Sequence, residues 1–246
     1  MTEFSRYWEI DLARGIAILM MLVFHTLFDL YYFGIYQVEV YSGFWRYFAF
    51  ATAALFLLIV GISLTISRAR VALTKSGYQL ALKFVYRGAG IFLLGLVVTF
   101  FTWLFLPESF IVFGILHLIG ISVMLSPLFF RFKKWNIVLG FLFLAIGFLV
   151  ATQSGSIWLL PLGIHPAAFS SVDYEPIFPW FGVVLIGMAL GELLYPEGVR
   201  GFALPAIPAF IVRPLGFLGR HSLIIYLVHQ PIILFIIAII TGTKIL

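Results

Sequence analysis

The chain has 246 residues, of which 63% are hydrophobic, 18% aromatic and only 10% charged. So little polar surface cannot cover a soluble core, which excludes an ordinary soluble domain and predicts a polytopic membrane protein. The formal net charge of +5 is spread along the connections between apolar stretches and reads as membrane topology, which argues against a nucleic-acid partner; the lack of cysteine excludes disulfides, thiolate metal sites and acyl-cysteine chemistry.

The start, Met1 to Asp11, mixes Arg6 with Glu3, Glu9 and Asp11, and no small-residue cleavage site follows the first apolar stretch. That stretch is expected to stay as a membrane helix and not to be removed as a signal peptide. It runs from Leu12 to Phe33 and carries Arg14, His25 and Asp29. On a helix the step from Arg14 to His25 is about three turns with roughly 20° of drift, and Asp29 follows one turn on, so all three share a face. A charge in hydrocarbon is costly, and such residues usually face a bundle interior or wet cavity where they handle an ion, proton or substrate. The plainer alternative is a snorkelling anchor at Arg14 and a mutually satisfied His25–Asp29 pair.

Further apolar stretches follow at Phe44 to Ile66, Phe84 to Leu106, Phe110 to Phe130, Trp135 to Ala151, Ile177 to Leu194 and Ser222 to Ile240. The expected fold class is therefore all-α, a polytopic integral membrane helix bundle of seven spans. Gly155 to Phe169 is interrupted by Pro161 and Pro166, and Phe202 to Gly219 by Pro205, Pro208 and Pro214, so both read as interfacial or re-entrant pieces with room for an eighth span. The longest polar connection is Ser67 to Lys83, there is no fixed-period repeat, and residues 1–246 read as a single transmembrane domain.

Lys and Arg concentrate in alternate connections: Arg68, Arg70, Lys75, Lys83 and Arg87; then Arg131, Lys133 and Lys134; then Arg200, Arg213 and Arg220. Gly34 to Gly43, Pro107 to Ser109 and Thr152 to Pro176 have none and hold Glu39, Glu108, Asp173 and Glu175 instead. The positive-inside rule puts the basic set in the cytoplasm, the amino terminus inside and, with seven spans, the carboxyl terminus outside.

At 1.5 Å per residue Arg14 lies ~3 Å, His25 ~20 Å and Asp29 ~25 Å from the cytoplasmic edge. His117 enters from outside and comes out level with His25 in a core ~30 Å thick. His229 lies roughly 12 Å in, with Tyr226 and Gln230 beside it and Arg220, His221 and Ser222 at its mouth. The pattern predicts a polar path from the cytosol towards His25 and a cavity between spans one, four and seven. For His117, Tyr226, His229 and Gln230 a structural hydrogen bond to a neighbouring helix is the competing reading. Gly187 and Gly191 form a GxxxG step that packs helices within the monomer or across a homodimer. Trp45, Trp103, Trp158 and Trp180 lie near span ends and read first as interfacial belt residues, and His165 as a surface loop residue.

The first span, with ten residues between Arg14 and His25 after Asp11-Leu12-Ala13, is similar to the Arg-x10-His signature of acyltransferase type 3 membrane proteins. The runs Tyr174-Glu-Pro-Ile-Phe-Pro-Trp180-Phe-Gly182, Gly187-x3-Gly191 and Leu218-Gly-Arg220-His-Ser222 through Tyr226, His229, Gln230 and Pro231 resemble the small prokaryotic relatives of heparan-α-glucosaminide N-acetyltransferase. The resemblance spans most of the chain. It implies transfer of an acetyl group from cytosolic acetyl-CoA to a sugar amine or hydroxyl reached from the outer face of a prokaryotic cell membrane. Under it, His25 is the general base, Asp29 orients its imidazole, and His117 joins catalysis or positions the acceptor. Arg14 grips a phosphate or the pantetheine of CoA, with Arg220, Tyr226, His229 and Gln230 also on the donor side. Asp173, Glu175 and Trp180 meet the acceptor.

The animal heparan enzymes carry their proposed acyl-accepting histidine in the luminal loop after the first span, whereas Gly34 to Gly43 has Tyr36 and Gln37 and no histidine. Direct transfer in a ternary complex is therefore the expected mechanism, with acylation of His25 second. A proton-coupled transporter of small molecules or glycan precursors is the alternative function, although paired halves with broken helices are not evident. Haem ligation by His25 and His117 is disfavoured by the Asp29 neighbour, and no metal site is expected.

Overall fold

The structure is a computed structural model that describes residues 6–242; Glu3 and the ends of the expected domain at 1 and 246 lie outside them. Eight α-helices occur in the order α1 (Trp8–Tyr32), α2 (Gly43–Ala72), α3 (Gly77–Phe105), α4 (Ile115–Phe129), α5 (Asn136–Val150), α6 (Ile177–Leu194), α7 (Ala209–Arg220) and α8 (Ser222–Thr241). The all-α expectation is met: among the described residues the only β pairing is an isolated bridge between Ser154 and His165.

Six segments are long and apolar enough to cross a membrane, and the fourth, Ile115–Val150, contains both α4 and α5. A 3-10 turn at Phe130–Trp135, with Lys133 at φ +46°, divides them. Each is 15 residues, about 22 Å, and so shorter than a ~30 Å hydrocarbon core. Helices thus occupy all seven stretches read from the sequence, but the fourth begins at Ile115 and not Phe110. The residues before it are held by a later loop, with Ser171 Oγ donating to Phe110 O and Val172 N to Ser109 O.

Of the two proline-broken pieces, Ile157–Leu162 forms a 3-10 turn, whereas α7 is a 12-residue helix that contains Pro214. Pro205 and Pro208 precede α7, which starts directly after Pro208, a position where a missing N–H costs nothing.

The helices sort into two compact units, residues 57–204 and residues 6–56 with 205–242, and α2 runs from one into the other. Both are held by close approach of small residues, the usual glue where lipid removes the hydrophobic drive between helices. In the first unit Gly88 faces the backbone of Gly120, Gly140 faces that of Gly182, and Gly187 faces Leu58. Thr65 Oγ1 donates to Met188 O at 3.0 Å beside Gly191. The GxxxG step of α6 therefore packs on α2 of the same chain. Arg68 and Glu192 close this pair with a 3.2 Å ion pair.

In the second unit α7 lies antiparallel along the start of α1. Gly15 abuts the Leu215 backbone and Gly219 abuts that of Asp11. A shorter seam joins α8 to α1, and it carries the polar residues described next.

Candidate functional site

The buried face of α1 includes Asp11, Gly15, Ile18, Met21 and Asp29, a helical period that also carries His25 inward. His25 Nδ1 lies 2.9 Å from Met21 O. A carbonyl can only accept, so Nδ1 carries the hydrogen and the neutral ring keeps its lone pair on Nε2. His229 on α8 repeats the arrangement, with Nδ1 donating to Tyr226 O. The two rings meet edge to face, 4.8 Å between centroids, and Tyr226 lies 5.5 Å from His229. The sequence-based depths leave roughly 8 Å between them. Both rings lean back towards their own helix N-terminus, so the contact shows that α1 and α8 sit closer in register than a count along two straight helices gives.

Asp29 is 2% exposed and its Oδ1 accepts from Gln230 Nε2 at 2.7 Å. The expected bond between Asp29 and the His25 ring is replaced by two others, because that ring reaches back to Met21 O instead of forward to Asp29. The carboxylate is oriented from α8. Asp29 Oδ2, Gln230 Oε1 and His229 Nε2 are buried and have no hydrogen-bond partner among the described residues. Native interiors seldom leave such atoms unpaired without a functional reason.

At the start of α1, Asp11 is 3% exposed and receives both Arg6 Nε at 3.0 Å and Arg14 NH1 at 3.3 Å. Its backbone is the surface on which Gly219 packs, and Arg220 follows at once as the last residue of α7. Arg14 and Arg220 thus belong to one end of the α1–α7 pair. Sequence reading missed the part of Asp11 here, although its i,i+3 spacing to Arg14 is visible in the chain. It also missed the pairing of Gln230 with Asp29, for which no local signal exists.

The first unit holds the other candidates. His117 is 1% exposed; its Nδ1 accepts from Gly114 N at 3.2 Å and its Nε2 faces Thr99 Oγ1 at 3.4 Å. The ring is sandwiched by Phe92 and Phe113 and lies against Gly95. Asp173 Oδ2 accepts from Ile115 N at 3.1 Å, placing negative charge at the amino end of α4. Glu175 N bonds Phe113 O, and Trp180 packs on the apolar core near the start of α6. Between them Tyr174 donates to Leu160 O at 2.7 Å, and burial pushes its hydroxyl up to about 12. These contacts give His117 and Asp173 structural work at the beginning of α4. No cluster of three or more metal-ligating side chains occurs among the described residues.

Comparison with curated proteins and with solved structures finds no match. The family described as heparan-alpha-glucosaminide N-acetyltransferase, catalytic, matches the chain over residues 6–231, which contains every candidate residue above.

Proposed function

From the premise that this chain belongs to the heparan-α-glucosaminide N-acetyltransferase catalytic family, and is a multi-pass membrane acetyltransferase, we propose that it takes acetyl from cytosolic acetyl-CoA to an amine or hydroxyl of a sugar-type acceptor reached from the outer face. The observation that carries the reading is the His25 ring, fixed through Nδ1 so that Nε2 is its basic atom, in contact with His229, whose own Nε2 is buried and unpaired among the described residues. His25 takes the acceptor's proton as the acceptor's oxygen or nitrogen attacks the thioester carbonyl; the C–S bond then breaks and the thiolate is protonated. Asp29, held by Gln230, offsets the imidazolium charge in a setting of low dielectric. Transfer is direct, within a ternary complex.

Arg14 and Arg220 bind the phosphates of CoA, with Tyr226 on the donor's path. From Arg14 to His25 the helix rises ~16 Å, a length that an extended pantetheine arm spans. Glu175 and Trp180 are assigned to the acceptor, and Asp173 and His117 support that assignment through the start of α4. The amino terminus is cytoplasmic, as the basic connections suggest, and the membrane is that of a prokaryotic cell; residues 1–246 act as one domain, a reading that the family match crossing both units supports.

Calorimetry of acetyl-CoA binding to detergent-purified protein tests the donor side. Saturable binding that weakens at least tenfold in Arg14→Ala is expected; absent binding by folded protein removes the reading and moves proton-coupled transport ahead. Because the chain has no cysteine, a thiol reagent reads CoA release without background. With glucosamine as the acceptor probe, His25→Ala is expected to bind acetyl-CoA and release almost no thiol. Full turnover in that variant sinks the assignment of the base.

A further inference from the structure

We propose that His25 and His229 work as one two-imidazole unit, in which His229 carries the acceptor's proton from His25 to the departing thiolate of CoA. The inference rests on the acetyl-transfer reading above and deepens it by giving His229 a catalytic role in place of a donor contact.

Three features of the second unit carry it. Both imidazoles have the same tautomer imposed on them, since each Nδ1 donates to a carbonyl of its own helix, Met21 O or Tyr226 O. Each neutral ring therefore offers Nε2 as its basic atom, and the rings touch at 4.8 Å between centroids. His229 is 7% exposed and its Nε2 has no partner among the described residues, so a buried lone pair is kept vacant beside the proposed base. The other two unpaired atoms of the cluster, Asp29 Oδ2 and Gln230 Oε1, are acceptors as well. A set made only of acceptors suits a group that brings protons in, an O–H or N–H, and disfavours an anion.

The order along the helices gives the proton a direction. Gly219, immediately before Arg220, packs on Asp11, so the arginine end of α1 is also where α8 begins. His229 comes nine positions after Arg220, and His25 fourteen positions after Asp11. Thus His229 lies nearer the end assigned to the donor, and His25 deeper, where the acceptor arrives. Pro231 follows Gln230 and cannot donate to Leu227 O, which interrupts the α8 ladder beside the pair.

The acceptor's X–H bond breaks and its proton goes to His25 Nε2 while X bonds the carbonyl carbon. That proton passes to His229 Nε2, the C–S bond breaks, and the thiolate takes the proton from His229. Both rings end neutral, and the products are the acetylated acceptor and free CoA.

The test uses full-length protein in detergent with acetyl-CoA, glucosamine and thiol detection, in H2O and in H2O–D2O mixtures. Wild type should slow in D2O with a linear proton inventory, because a single proton moves at each hop. His229→Gln should lower kcat on the order of 100-fold and leave KM for acetyl-CoA within about twofold. His229→Asn keeps a donor for Tyr226 O without a basic nitrogen, and it should be equally slow. If Asn restores wild-type kcat, the ring is structural and the pair is overturned. A raised KM with unchanged kcat returns His229 to donor binding and overturns it too. A wild type that releases no thiol defeats the acetyl-transfer reading itself, and the pair with it.

Discussion

Asp173 separates a substrate contact from a structural one. Its Oδ2 takes up Ile115 N, one of the donors that a helix start leaves unpaired, and its charge complements the positive end of α4. Asp173→Ala should cost about 1 kcal/mol and lower the melting temperature in detergent, and Asp173→Asn, which keeps an acceptor, should cost less. Acetyl-CoA affinity should stay unchanged in both. A melting temperature unmoved by the alanine, together with a raised KM for glucosamine, would instead assign Asp173 to the acceptor. At this scale the sequence discloses the cast but not the pairings. Helical spacing put Arg14, His25 and Asp29 on one face because it follows from the 3.6-residue period alone. That His25 turns to Met21, and Asp29 to Gln230 two hundred positions away, depends on tertiary packing that no local pattern encodes.

The α1–α7 pair places the arginines, and two glycines set its spacing. A Cβ at Gly15 would fall on Leu215 O, and one at Gly219 on Asp11 O, backbone atoms that cannot move aside independently. Gly15→Val or Gly219→Val should therefore destabilise the protein by about 3 kcal/mol or more, seen as a lowered melting temperature. By contrast, a Cβ at Gly90 in α3 meets nothing within 4 Å. Gly90→Ala should raise stability by up to about 1 kcal/mol, since alanine is the better helix former. Equal effects at all three sites would mean that the α1–α7 contact does not limit stability. Hydropathy located every long helix here, because apolar length is a property of the chain itself. It misjudged the start of α4, where Ser171 and Asp173 hold the preceding residues out of the helix, and it gave too much weight to Pro214, which α7 accommodates.

The proposed reaction depends on orientation, since a cytosolic donor requires Arg14 and Arg220 on the inner side. Basic connections alternating with acidic ones predict that arrangement, and the cysteine-free chain makes it directly measurable. Glu108 and Lys134 are both exposed and lie in connections assigned to opposite faces. In intact cells a membrane-impermeant maleimide should label Glu108→Cys and spare Lys134→Cys until the membrane is opened. The reverse pattern would put the arginine end outside, beyond the reach of cytosolic acetyl-CoA, and the donor assignment would fail even if His25 proved essential. Labelling of both from outside would mean that α4 does not cross the membrane. The expected pattern puts Arg14 and Arg220 on the cytosolic side, as the proposed binding of CoA requires.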